Sequence, residues 1–337
     1  MKSTRIVLAS RPTGMPTEEN FRTETVELDP PGAGEALLQT LYLSLDPYMR
    51  GRMSDAPSYA PPVGIGETMV GATVSRVLES ADPAVRSGDY VLGYGGWQTH
   101  SVERVKHLRK LDPEAAPLTT ALGVLGMPGF TAYSGLLTIG RPQPGETVVV
   151  AAATGPVGAT VGQIAKIKGA RAVGIAGGPR KVALLRDHFG FDAAIDHRAP
   201  DFVEQLAAAT PDGIDVYFEN VGGAVFDAVL PRLNGFARIP VCGLIAQYNA
   251  SSLPPGPDRM GLLMSLVLRK SLTVRGFIQT EFSGQFGEFY SEVSGWVREG
   301  RVAYLEDVVE GLGSVVGAFQ GLLSGKNMGK VVVRVGE

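Results

Sequence analysis

A single cysteine, Cys242, stands among 337 residues, so neither an internal disulfide nor a thiolate cluster around zinc can form. Only His100, His107, His188 and His197 offer other soft ligands, and none belongs to a His-Glu-x-x-His pair. His100 and His107 read as surface or packing residues, and no metal site is expected. No run approaches 18 apolar residues, so there is no candidate membrane span. Charge of one sign is also missing: 31 Lys and Arg face 34 Asp and Glu, for a net charge of −3. That balance gives no basic surface for nucleic acid. Met1 to Ser10 has two basic residues but no apolar stretch before a small-residue cleavage site. A cytoplasmic protein without nucleic-acid or membrane partners is expected, and any redox chemistry must use a borrowed cofactor.

Glycine is plentiful, with 44 residues, about 13% against a usual ~7%. The length suits two domains at roughly 100 to 200 residues each. From Thr25 to Val105 the chain reads as short alternating strands, Ala36 to Leu45, Thr68 to Leu78, Tyr90 to Gly93 and Trp97 to Val102, separated by Pro- and Gly-rich turns. From Glu146 onward short apolar runs alternate with helical patterns, the signature of a buried parallel sheet with crossover helices. Six candidate strands, Thr147 to Ala151, Ala172 to Ala176, Ala193 to Ile195, Asp215 to Phe218, Ala237 to Val241 and Leu272 to Gly276, make the expected fold α/β, a doubly wound sheet. Short strands return at Tyr304 to Val309 and Lys330 to Val335 around a helix, Ser314 to Leu323, so the tail is expected to rejoin the first unit.

The sharpest motif is Ala151-Ala-Ala-Thr-Gly155-Pro-Val-Gly158-Ala-Thr-Val-Gly162, placed after a strand and opening a helix that runs to about Lys168. There Gly155 and Gly158 allow the backbone to approach a pyrophosphate, helix amides face its charge, and Gly162 permits close helix-to-strand packing. An ordinary βα turn of small residues would look similar. NAD-preferring sites carry an acid at the end of the second strand. Here that strand is followed by Gly177-Gly-Pro-Arg180-Lys181, small residues and then cations suited to a 2′-phosphate. The reading is NADP(H), with a solvated basic helix start as the alternative.

Gly126-Met-Pro-Gly-Phe-Thr-Ala-Tyr133 and Tyr217-Phe-Glu-Asn-Val-Gly-Gly223 resemble the medium-chain dehydrogenase/reductase superfamily. Leu45-Asp-Pro-Tyr48-Met-Arg-Gly-Arg-Met53, Val241-Cys-Gly-Leu-Ile-Ala-Gln-Tyr248-Asn249 and Asn327-Met-Gly-Lys330 resemble its zinc-independent prostaglandin, leukotriene and alkenal double-bond reductases. Within that branch, Ile195-Asp-His-Arg and Ala228-Val-Leu-Pro-Arg-Leu are similar to the bacterial curcumin/dihydrocurcumin reductase type. The resemblance implies a GroES-like β-rich catalytic domain, residues 1–124 and 300–337, and a Rossmann NADP-binding domain, residues 125–299, in a homodimer. It implies Thr154, Gly155, Pro156, Val157 and Gly158 at the pyrophosphate, and Gly177 and Lys181 at the 2′-phosphate. His197, where several mammalian relatives have tyrosine, is a further candidate there. Asn220 would lie near the ribose. Cys242, Gly243, Phe277 and Ile278 would lie toward the nicotinamide, with Met127, Thr131 and Asn327 also contributing. Structural alternatives stay open for Asn220, Phe277, Asn327 and the Asp46-Pro-Tyr48 segment.

Without a metal to polarise a carbonyl, hydride delivery to the β-carbon of an α,β-unsaturated carbonyl is the easier reaction, because hydroxyl donors can stabilise the enolate oxygen. Tyr48 and Tyr248 are the candidate donors. A zinc-free NADP-dependent carbonyl reductase or hydroxy-fatty-acid dehydrogenase is the alternative enzyme. A non-catalytic NADPH-binding sensor or interaction protein is the alternative of another class. Loops Asp55 to Gly66 and Ser251 to Met260 are expected to border the substrate.

Overall fold

The computed structural model describes residues 1–252 and 256–336. Chain contacts divide it into two units, Met1–Gly123 with Glu306–Glu337, and Val124–Leu305.

In the first unit a seven-stranded sheet runs in the order Glu306–Glu310, Lys330–Arg334, Glu35–Ser44, Thr73–Ser80, Tyr90–Gly93, Arg109–Leu111, with His100–Arg104 paired to Glu35–Ser44 off that path. The returning tail thus supplies two strands of this sheet. Two expected strands begin later than their patterns suggest, at Thr73 and His100. The cause is an unforeseen antiparallel pair, Lys2–Leu8 with Phe21–Glu27. It takes up the preceding residues: the Met69 N–H donates to the Ile6 carbonyl at 3.0 Å and the Ile6 N–H to the Trp97 carbonyl at 2.9 Å. Trp97 then fills the core, stacked on Phe21 at 5.4 Å and edge-on to Phe319 at 5.5 Å.

The second unit holds a parallel sheet of β1 (Thr147–Ala151), β2 (Arg171–Ala176), β3 (Ala193–Asp196), β4 (Ile214–Phe218), β5 (Leu233–Val241) and β6 (Thr273–Gly276). Their order is β3-β2-β1-β4-β5-β6, the Rossmann arrangement, with its switch point where β1 neighbours β4. All five residues of β1 are buried, as a strand covered on both faces requires. β6 is exposed along its whole length at the sheet edge. Helices α1 (Pro156–Ile167), α2 (Pro179–Asp187), α3 (Phe202–Ala209), α4 (Gly223–Val229) and α5 (Met260–Lys270) accompany these strands. Both α1 and α2 open on proline, whose fixed φ and missing N–H suit a first helical position.

Candidate cofactor and phenol sites

At the end of β1, Ala152 takes a left-handed conformation with φ 52°, and its carbonyl accepts the Gly155 N–H at 3.0 Å. A Cβ on Gly158 would lie 2.5 Å from that carbonyl oxygen, so only glycine lets the turn fold so tightly. Thr154 is buried in the same turn, Gly155 caps α1, and Pro156 and Val157 begin it. The strand, the tight glycine turn and the helix therefore follow one another as the motif's spacing predicts. At Gly162 a Cβ would lie 2.0 Å from the Phe191 ring, so the glycine makes room for an aromatic side chain that arrives from beyond α2.

His197 and its neighbour Arg198 lie against Gly177, where an acidic residue would mark an NAD site. A Cβ on Gly177 would lie 2.8 Å from Arg198 Nε and 2.9 Å from His197 Nε2. Burial and the Arg198 charge push His197 below the usual histidine range; Lys181 adds to this, against the opposing pull of Asp196. Lys181, His197 and Arg198 thus form one electrostatic group. Asp196 ties the two turns together, accepting the Gly178 N–H at 2.8 Å and the Arg198 N–H at 2.9 Å. Burial opposes its ionisation, but these backbone donors outweigh it and hold the carboxyl below its ordinary range. The tight cradle and the cationic group fit a dinucleotide carrying a 2′-phosphate. Arg198 was missed in the sequence, although it directly follows His197.

After β4, Glu219 is 2% exposed. One carboxylate oxygen accepts the N–H groups of Val221 at 2.6 Å and Gly222 at 2.8 Å and the Tyr217 hydroxyl at 3.2 Å. The other oxygen is buried without a partner, and burial raises the carboxyl above its usual range despite the donors. The Glu219 carbonyl accepts the N–H groups of Cys242 at 2.9 Å and Gly243 at 3.2 Å. Asn220 donates from its side chain to the Ala151 carbonyl at 2.8 Å, and its own carbonyl accepts the Ile245 N–H at 3.2 Å. Together they fasten the 242–248 loop to the end of β1. Within that loop the Tyr248 hydroxyl accepts the Leu244 N–H at 3.3 Å and lies where a Gly243 side chain would be, 2.8 Å from such a Cβ. Burial, then the Glu219 charge, pushes the Cys242 thiol up to about 12, which suits neither a metal ligand nor a nucleophile.

The Phe277 ring takes the packing role that its structural alternative allowed. It is 6% exposed, packs against Phe218 and Phe282, and lies 2.3 Å from where a Gly135 Cβ would be. The Ile278 N–H is also taken, by the Glu281 carboxylate at 2.8 Å. Met127 opens the helix Met127–Ser134, and its carbonyl accepts the Thr131 hydroxyl at 2.8 Å.

In the first unit, Tyr48 opens the five-residue helix Tyr48–Arg52 and packs half-buried on the core around Met49, Leu45 and Phe319. Burial, then the charge of Asp46, pushes its phenol well above 10, so it stays a protonated donor at neutral pH. Asn327 donates to the Gly329 carbonyl at 2.7 Å, closing the turn before Lys330. Loop residues 253–255, within the second loop expected near the substrate, lie outside the described residues.

Among the described residues no group of three or more His, Cys, Asp or Glu side chains could hold a metal ion, and no helix is long and apolar enough to cross a membrane. Residues 4–111 match the family described as the N-terminal domain of oxidoreductase, and residues 156–295 match zinc-binding dehydrogenase. The chain is 58% identical to the NADPH-dependent curcumin reductase of Escherichia coli (strain K12), covering 99% of this chain and 97% of that protein. It is 42% identical to prostaglandin reductase 1 of Rattus norvegicus, covering 95% of each. The crystal structure of CurA in complex with NADPH from Vibrio vulnificus is similar at TM-score 0.95 and 53% identity, covering 99% of both chains.

Proposed function

The chain belongs to the zinc-independent medium-chain dehydrogenases/reductases, in the prostaglandin, leukotriene and alkenal double-bond reductase branch, and from that premise we propose that it reduces the carbon–carbon double bond of α,β-unsaturated aldehydes and ketones with NADPH. The observation that carries this reading is the nearly full-length similarity, at 58% identity, to a curcumin reductase. Curcumin itself is a conjugated enone, so extended enones and short alkenals are the substrate class. Thr154 to Gly158 would hold the pyrophosphate, with Lys181, His197 and Arg198 around the 2′-phosphate. Asn220 would lie near the ribose, and Cys242 and Gly243 would shape the nicotinamide side, where the bound cofactor would supply hydride to the β-carbon.

As charge develops on the carbonyl oxygen, a phenol donates to it. We assign this role to Tyr48, with Tyr248 as a second donor; one well-aimed donor is worth about 10²- to 10³-fold in rate. The Rossmann unit binds the cofactor and the GroES-like unit bears Tyr48. We further read the protein as a cytoplasmic homodimer, supported by the exposed edge strand β6 and by apolar residues on the neighbouring α5. Purified protein given NADPH and an enone is expected to consume NADPH and yield the saturated ketone with its carbonyl intact. An allylic alcohol as product would instead identify a carbonyl reductase.

A further inference from the structure

The turn that launches Tyr48 is held by the strand that returns from the other end of the chain. Lys330 is 2% exposed and Asp46 4%. The Lys330 ammonium donates to Asp46 Oδ1 at 2.8 Å and to the Leu45 carbonyl at 2.6 Å. The other Asp46 oxygen accepts the Ser44 hydroxyl. Next to Lys330 in the strand, the Val331 carbonyl accepts the Leu45 N–H at 3.2 Å. Both backbone groups of Leu45 are thus fixed by residues 330 and 331. The Asp46 carbonyl in turn accepts the Met49 N–H at 3.1 Å, so the anchored segment leads directly into the helix carrying Tyr48.

Breaking a buried ion pair leaves an unpaired charge in a poorly solvating interior. Here that charge would be the Asp46 carboxylate, whose field acts on the Tyr48 phenol. An uncompensated anion beside a phenol makes it a weaker acid and a poorer donor to a developing oxyanion. Release of the Leu45 carbonyl would also loosen the aim of the phenol, and donor placement is what gives such a group its effect.

We propose that Lys330 is a positioning residue for the reaction, acting through the Asp46 turn to place Tyr48 and to neutralise the charge beside it. This rests on Tyr48 being the donor to the enolate oxygen. The test is a double-mutant cycle on turnover in the full-length protein, with Lys330→Met and Tyr48→Phe made singly and together. Lys330→Met is expected to lower kcat at least tenfold, to leave KM for NADPH within threefold, and to cost less than twofold in kcat once Phe occupies position 48. An equal loss in both backgrounds overturns the role of Lys330. Full activity in Tyr48→Phe overturns the assignment of Tyr48 beneath it. Should Lys330→Met fail to fold, Asp46→Asn with Lys330→Met removes both charges and tests placement alone: a smaller, roughly threefold loss of kcat is expected with Tyr48 present and less than twofold with Phe there, and an equal loss in both backgrounds overturns the role of Lys330.

Discussion

His197 places a titratable ring among fixed cations. Burial and Arg198 depress its pKa, so the ring is neutral at pH 7 and gains charge only as pH falls below the ordinary histidine value near 6.5. His197→Gln is therefore expected to leave the preference for NADPH over NADH nearly unchanged at pH 8 and to lower it increasingly as pH falls further below about 6.5. Lys181→Ala or Arg198→Ala should lower it about tenfold throughout that range, since a charge-assisted hydrogen bond contributes roughly 1.5 to 3 kcal/mol. Fluorescence titration with each cofactor checks this. The 2′-phosphate takes up its own proton near pH 6, equally in every variant, so ratios to wild type isolate the side chain. Lys181 was legible because it follows a strand that ends without an acid. Arg198 follows a different strand, and only the parallel register pairing Asp196 with Ala176 brings it to the same place.

The β1–turn–α1 element shows where pattern reading works and where it stops. Strand, glycine turn and helix follow from sequence order alone, because a buried apolar run, a Gly-Pro start and small residues leave few other conformations. The partner of Gly162 does not follow, since Phe191 arrives from beyond α2 and no local spacing encodes that meeting. The two glycines should separate stability from binding. Gly162→Ala drives a methyl into the Phe191 ring and should destabilise the fold by about 1 to 3 kcal/mol, read as a lower urea midpoint. Its NADPH affinity should stay within threefold. Gly158→Ala meets the Ala152 carbonyl, which is backbone and cannot swing away, and should weaken NADPH binding at least tenfold. The split strands near Thr68 and Trp97 were misread for a similar reason: alternation marks a strand but not its partner, and the N-terminal hairpin took the first half of each.

At the scale of the whole molecule, the dimer reading has a direct check. The last strand of the Rossmann sheet, β6, presents Val274 at 43% exposure, and α5 beside it presents Met260, Met264 and Leu268, the last 81% exposed. Exposed apolar side chains next to a sheet edge are what a second copy would cover. Wild type is expected to sediment as a dimer, and Val274→Asp with Leu268→Asp as a monomer; a monomeric wild type would end this reading. The sheet of the first unit carries a different consequence. Its strand Lys330–Arg334 lies between Glu306–Glu310 and Glu35–Ser44, and Lys330 meets an aspartate 284 residues earlier in the chain. During synthesis the second unit is contiguous and emerges complete while that slot is still open. Asp46 must then wait through the translation of an entire domain before its counter-charge exists, so the turn beneath Tyr48 is expected to close only after the whole second unit has been synthesised.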